Sequence, residues 1–176
     1  MWSCDRRRLL GLLAVVPLAG CGFTPAYAPG SGASASARPL LNAVEIAAPQ
    51  TRAEYLLTRH LEDRLGRTSN PVFLLDYTLF IDQESIAITA NNITRRFNLT
   101  GQASYRLTTP TGAVLSEGVV ENFTGYSATG TTVATRAARD AAEARLTTIL
   151  GDAIVTRLIA AAPNLPSAQS PAAPRP

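Results

Sequence analysis

No lysine occurs in the chain, and all 16 basic residues are arginines. A GC-rich genome accounts for that usage. Arginine also grips phosphate in a two-pronged way that lysine does not, although composition alone does not show such a use. There is one histidine, His60, and there are two cysteines, Cys4 and Cys21. A structural zinc site takes about four nitrogen or sulfur ligands, so this supply excludes one. His60 reads as a surface or boundary residue of a helix. The formal charge is only +3. Arg6, Arg7 and Arg8 with Asp5 contribute +2 of it within the first 20 residues, which leaves about +1 for the remainder. That balance argues against a general polyanion binder, and no nucleic-acid partner is expected. Serines and threonines are plentiful, yet no G-x-S-x-G or S-x-x-K pattern accompanies them. Gly30 and Gly32 stand in a small-residue stretch, not in a loop that cradles phosphate.

Long hydrophobic runs are also missing. The leading apolar run, Leu9 to Ala19, is about 11 residues, against the roughly 20 that span a bilayer. What is present instead is a basic start, a short apolar middle and a small-residue exit, the layout of a secretory signal peptide. The exit is Leu18-Ala19-Gly20-Cys21, which matches the bacterial lipobox. In that motif the cysteine thiol receives a diacylglyceryl group, the preceding peptide is cut away, and the new amino group is acylated. Cys21 is therefore the expected lipid attachment site. Three acyl chains hold a protein permanently where one holds it weakly. Cys4 falls in the removed segment, so no internal disulfide is available even in an oxidising periplasm. Gly22 stands where an aspartate would favour retention in the inner membrane, which points to the outer membrane. The Arg7-Arg8 pair loosely resembles a twin-arginine signal, and ordinary secretion is the preferred route.

The divisions expected are a signal peptide over 1–20, a lipidated N-terminus and flexible tether over 21–39, one domain over 40–162, and a proline- and alanine-rich disordered tail over 163–176. Within the domain, Leu40 to Ile46 reads as a first strand ended by Pro49. Thr51 and Glu54 have the spacing of a capping box. Leu57, Leu61 and Leu65 then recur on one face of a helix of about four turns, which Gly66 stops. From Val72 the period changes to two, and Phe73, Leu75, Tyr77, Leu79 and Ile81 share a face. Val72, Leu74 and Phe80 lend the other face apolar character, as in a central strand. Asn91-Asn92 reads as a hairpin turn. The next strand alternates most clearly, with Ile93, Phe97, Leu99, Ala103, Tyr105 and Leu107 on one face and polar residues on the other. Thr109 to Gly112 is a second turn. A last strand runs from Val114 to about Tyr126, with Leu115, Val119 and Phe123 in register. Gly130-Thr131-Thr132 opens a long helix to Ala161. Its apolar stripe is Leu146, Ile149, Leu150, Ala153, Ile154 and Leu158, and its alanine-rich first half permits close packing on a sheet. The fold class is α+β, of order β-α-β-β-β-α: two helices on one face of a four-stranded mixed sheet, with the other face polar and open.

Asp76, Asp82 and Glu84 fall on one strand face. A catalytic carboxylate pair comes from separate elements around a cleft, so these read as the polar side of a sheet. The three N-x-T triplets at Asn92, Asn98 and Asn122 read as chance products of polar strand faces.

The lipobox, the run Cys21-Gly22-Phe23-Thr24-Pro25-Ala26-Tyr27, the element order and the closing Asp152-Ala153-Ile154-Val155-Thr156-Arg157-Leu158 together resemble one family. It is the lipopolysaccharide-assembly lipoprotein family LptE, also called rare lipoprotein B, in its alphaproteobacterial form. The resemblance covers nearly all of the mature chain except the tail. It implies an outer-membrane, periplasm-facing lipoprotein that plugs the LptD β-barrel, helps it fold, and assists delivery of lipopolysaccharide to the outer leaflet. It implies no enzymatic activity and no cofactor beyond the covalent diacylglycerol and N-acyl chain on Cys21. It also implies contact with lipopolysaccharide through basic residues. Arg95 and Arg96, just after the Asn91-Asn92 turn, and Arg106 further along the strand are the candidates for gripping lipid A phosphates or barrel acids. The competing reading of the pair at the turn is a solvated hairpin tip. Two other functions stay open: a different lipoprotein acting as a small lipid- or envelope-binding module, and a lipid-anchored hydrolase. The missing nucleophile and base motifs count against the hydrolase.

Overall fold

The computed structural model describes residues 39–88 and 94–165. The signal peptide, Cys21, the tether, the Asn91-Asn92 turn and the tail lie outside the described residues, as does the side chain of Arg95. The elements are β1 (Val44–Ile46), α1 (Arg52–Leu65), β2 (Phe73–Ile88), β3 (Thr94–Thr108), β4 (Val114–Ser127) and α2 (Thr132–Ala161). They form an α+β fold whose single sheet has the order β1-β2-β3-β4. β1 runs parallel to β2, and the other pairs are antiparallel.

β1 is shorter than the apolar run that precedes it. Leu40 to Ala43 form a turn, and Asn42 takes a left-handed φ of 54° while its N–H donates to Leu65 C=O at 2.7 Å. Leu40 is fully buried without being in a strand. α1 starts as expected. The Thr51 hydroxyl accepts from Glu54 N–H at 3.2 Å, and the Glu54 carboxylate accepts from Thr51 N–H at 3.1 Å. Leu57, Leu61 and Leu65 are buried, and Gly66 ends the helix with a φ of 82°.

Both helices cover one face of the sheet. In β3, Leu99, Gly101, Ala103, Tyr105 and Leu107 point into this layer. Gly101 lies directly under α2: a Cβ there would stand 2.9 Å from Leu150 Cδ1 and 3.1 Å from Leu146 Cγ. The glycine is what lets the helix come down onto the strand.

Two expectations are corrected. Val119 and Phe123 lie on the open face of β4, Phe123 at 65% exposed, whereas Leu115, at the irregularity opposite Leu107 and Thr108, is half-buried against the core. The register pairs Ala103 with Val120 and Phe97 with Tyr126, so Val120 and Tyr126 are the buried residues. In α2 the buried stripe is Ala142, Leu146, Leu150, Gly151, Ile154, Val155 and Leu158. Ile149 is turned out, and in the alanine-rich first half only Ala142 is fully buried. α2 is apolar and long enough to cross a membrane by composition; here it is the helix that closes the core. A short 3-10 turn, Ala162–Asn164, then carries Leu165 back into the core.

Tyr77 ties β2 to α1. Its hydroxyl lies 2.6 Å from Thr58 Oγ1 and donates to Glu54 C=O at 3.4 Å. Burial pushes this phenol above its ordinary range, against the Thr58 hydrogen bond, which pulls the other way. A raised value in the folded state means that the native chain holds the proton longer than the unfolded chain. The associated stability is complete below the unfolded value of about 10 and is lost as pH rises through the folded one. Melting curves should therefore show a fall in Tm above that pH, and Tyr77→Phe should flatten it. Gly101→Val should overpack the interface with α2 and cost about 1–3 kcal/mol, read as a lower urea midpoint at unchanged slope.

Candidate functional site

The uncovered face of the sheet carries the candidate residues. Cross-strand pairing arranges it in rows: Asp76, Arg106 and Glu117; then Thr78, Ser104 and Val119; then Phe80, Gln102 and Glu121; then Asp82, Thr100 and Phe123; then Glu84, Asn98 and Gly125. Six carboxylates (Glu45 beside Leu74 is the sixth) and two guanidiniums, Arg96 and Arg106, lie on it. Two phenylalanines break the polar pattern, Phe80 at 64% exposed and Phe123 at 65%. Around the first rows is an open depression of about 670 Å³, lined by Asp76, Thr78, Ser104, Arg106, Glu117 and Val119.

The structure does not bring the three candidate arginines together. Arg106 Nε donates to Glu117 Oε2 at 3.1 Å, and Asp76 stands opposite on the other side. Both partners of this ion pair are more than half exposed. Arg96, opposite Ala87 and Ser127, is exposed at the other end of the same strand. Ten residues of strand separate them, about 33 Å. Arg95 falls between the paired positions Thr94 and Arg96, where the β2–β3 register is irregular. Arg95 and Arg96 thus belong to the hairpin end, and Arg106 to the end where β1 and the C-terminus of α1 lie.

A second groove was not anticipated. It opens at the hairpin end between the start of α2 and the sheet and measures about 710 Å³. Its floor is Phe97 stacked on Tyr126, with ring centroids 5.3 Å apart and planes 16° off parallel. Arg136 and Arg139 lie on its rim, together with Arg52, which is bonded to Glu143 at 2.9 Å. The i, i+3 spacing of Arg136 and Arg139 was the signal available in the sequence for one basic face on the alanine-rich half of α2.

His60 is a half-buried packing residue. Its Nε2 lies 3.0 Å from Asp152 Oδ1, which also accepts from Arg64 at 3.0 Å. The ring packs over Gly151, where a Cβ would come within 2.7 Å of His60 Cδ2. The three side chains clamp α1 to α2. Among the described residues no group of three or more His, Cys, Asp or Glu side chains gathers around a potential metal position. Asp76, Asp82 and Glu84 are exposed on the open face, as the polar-sheet reading expects.

An exposed ion pair contributes little, because water screens it and two long side chains must be ordered. A double-mutant cycle on Arg106→Ala and Glu117→Ala should give a coupling under about 1 kcal/mol, with Tm nearly unchanged in each single variant.

Residues 41–158 match the family model LptE, lipopolysaccharide-assembly. Among solved structures, a Caulobacter crescentus CB15 protein assigned as a lipoprotein superposes with a TM-score of 0.61 at 22% identity, covering 74% of this chain and 97% of that one. The rare lipoprotein B of Shewanella oneidensis gives 0.53 at 12% identity, over 69% and 96%. A minor lipoprotein of Acinetobacter baumannii gives 0.51 at 17% identity, over 75% and 100%. At these identities the likeness is one of fold. No curated protein sequence matches the chain.

Proposed function

The chain belongs to the LptE lipopolysaccharide-assembly family, and from that premise we propose that it is the lipid-anchored subunit of an outer-membrane lipopolysaccharide translocon. The match over residues 41–158 carries this reading. In it, the segment 1–20 is removed, and Cys21 bears the diacylglycerol and N-acyl chains. The tether over 21–39 then holds the domain on the periplasmic side of the outer membrane. The domain plugs an LptD-like β-barrel and assists its assembly. It acts by binding and positioning, not by catalysis.

The two-layer fold supports this reading physically. Most of its apolar surface is buried between the helices and one sheet face, and the other face is broad and largely polar apart from Phe80, Val119 and Phe123. Such a body can fill a water-lined lumen without leaving a large greasy surface exposed when it stands alone. Arg95 and Arg96 at the hairpin end meet lipid A phosphates or barrel acids, and Arg106 contributes from its place beside Glu117.

The test is a mild-detergent purification of the tagged, lipidated chain with mass spectrometry of what accompanies it. A near-stoichiometric outer-membrane barrel is expected. A lipidated monomer alone would overturn the reading and leave a tethered module for a lipid or another envelope component. Within the complex, Arg95→Ala combined with Arg96→Ala should lower co-purifying lipopolysaccharide by about tenfold, the worth of one lost charge-assisted hydrogen bond.

A further inference from the structure

Among the described residues, one edge of the sheet is nearly bare. β1 covers β2 through three residues only, Val44 on Phe73, Glu45 on Leu74 and Ile46 on Leu75. The last backbone bond on this side is Ala47 N–H to Leu75 C=O at 3.0 Å. Pro49 follows, with no N–H to donate and a fixed φ, and the chain turns away into α1. β2 itself continues to Ile88. Backbone groups of successive strand residues point to alternate sides. Those of Phe73 and Leu75 meet Ala43 and Ala47, so those of Tyr77, Leu79, Ile81 and Gln83 point outward in the same direction. Among the described residues no backbone group reaches them. An unpaired row of this kind is a template for another strand.

The flanking side chains define what fits. On the helix side, Leu79 and Ile81 are only half-buried. On the open side the segment presents Thr78, Phe80 and Asp82, with Asp76 and Glu84 exposed just beyond its two ends, and β2 carries no cation at all. The opposite edge of the sheet differs. There, Arg157 donates to Val119 C=O at 2.7 Å and Arg145 to Gly125 C=O at 3.3 Å, so α2 partly caps β4. β4 also presents Glu117 and Glu121 on its open side. Edge-to-edge pairing of two copies, β2 with β2 or β2 with β4, would set carboxylates beside carboxylates, which is destabilising in adjacent strands. A strand alternating apolar and basic residues has the opposite effect. Its apolar side chains cover Leu79 and Ile81, and its cations lie beside Asp82 and Glu84.

We propose that the β2 edge from Tyr77 to Gln83 is a strand-addition site for an extended protein segment that alternates apolar and basic residues. The three residues of β1 already use the same edge in the same manner. Backbone bonds supply affinity, and the acidic row selects the partner. The site does not depend on the barrel reading above.

The test uses the lipidated full chain in detergent and a synthetic peptide of about eight residues alternating valine and arginine, with a valine–glutamate peptide as comparison. Amide exchange followed residue by residue should slow by about tenfold or more at Tyr77, Leu79, Ile81 and Gln83. The outward amides of β4 should be unaffected, and the glutamate peptide should have no effect. Asp82→Lys with Glu84→Lys changes two exposed positions; it should weaken binding of the arginine peptide by about tenfold at unchanged Tm. No slowing at millimolar peptide would overturn the site and mark the acids as guards against pairing. Equal slowing by the glutamate peptide would overturn the charge selection. Slowing by the protein alone at rising concentration would assign the edge to a second copy of this chain.

Discussion

The contact of Leu146 and Leu150 with Gly101 sets the height of α2 over the sheet, and most of the architecture depends on it. A side chain at Gly101 would press on Leu146 and Leu150 and force them, or the helix that carries them, to shift over the layer that holds Leu99, Ala103 and Leu158. α1 then docks on α2 at a second missing side chain, Gly151, under the His60 ring. Two glycines, one under α2 and one on it, thus bring the sheet and both helices close together on one side. With both helices committed there, nothing among the described residues covers the other side. The open face is a consequence of where the close approaches are.

Local signals in the sequence translate directly into structure. The cap and the reciprocal glutamate of α1 lie within four residues of each other, and the alternation in β3 needs only one strand to be read. Relations between strands are different. β4 has apolar residues on both faces, Val119 and Phe123 against Val120 and Tyr126. Its own pattern does not choose between them; pairing of Ala103 with Val120 does. α2 is apolar nearly all round, so its stripe is decided by having two neighbours. Val155 and Gly151 are buried, and Ile149 is turned out.

The candidate site was legible in part, for the same reason. Arg96 and Arg106 have the same parity on β3 and do share a face. Their separation by about 33 Å and the engagement of Arg106 with Glu117 follow from strand length and from the β3–β4 register. Arg136 and Arg139 had a local signal, but nothing local says that α2 begins beside the Phe97–Tyr126 stack. The bare β2 edge depends on how short β1 is. Pro49 announces that the first strand ends, not that its partner runs on for a further dozen residues.

Charge is unevenly spread over the open face. Its six carboxylates exceed its two guanidiniums, and three of them stand on β2. A phosphate approaching the rows around Arg106 meets two carboxylates, Asp76 and Glu117, against one guanidinium, so the local balance is a weak, water-screened repulsion. At the opposite end the chain places Arg95 and Arg96 in succession, with Arg136 and Arg139 on the neighbouring groove. Arg96 stands opposite Ala87, one row beyond Glu84 and Asn98, so both signs of charge meet at the hairpin end, whereas around Arg106 the carboxylates dominate.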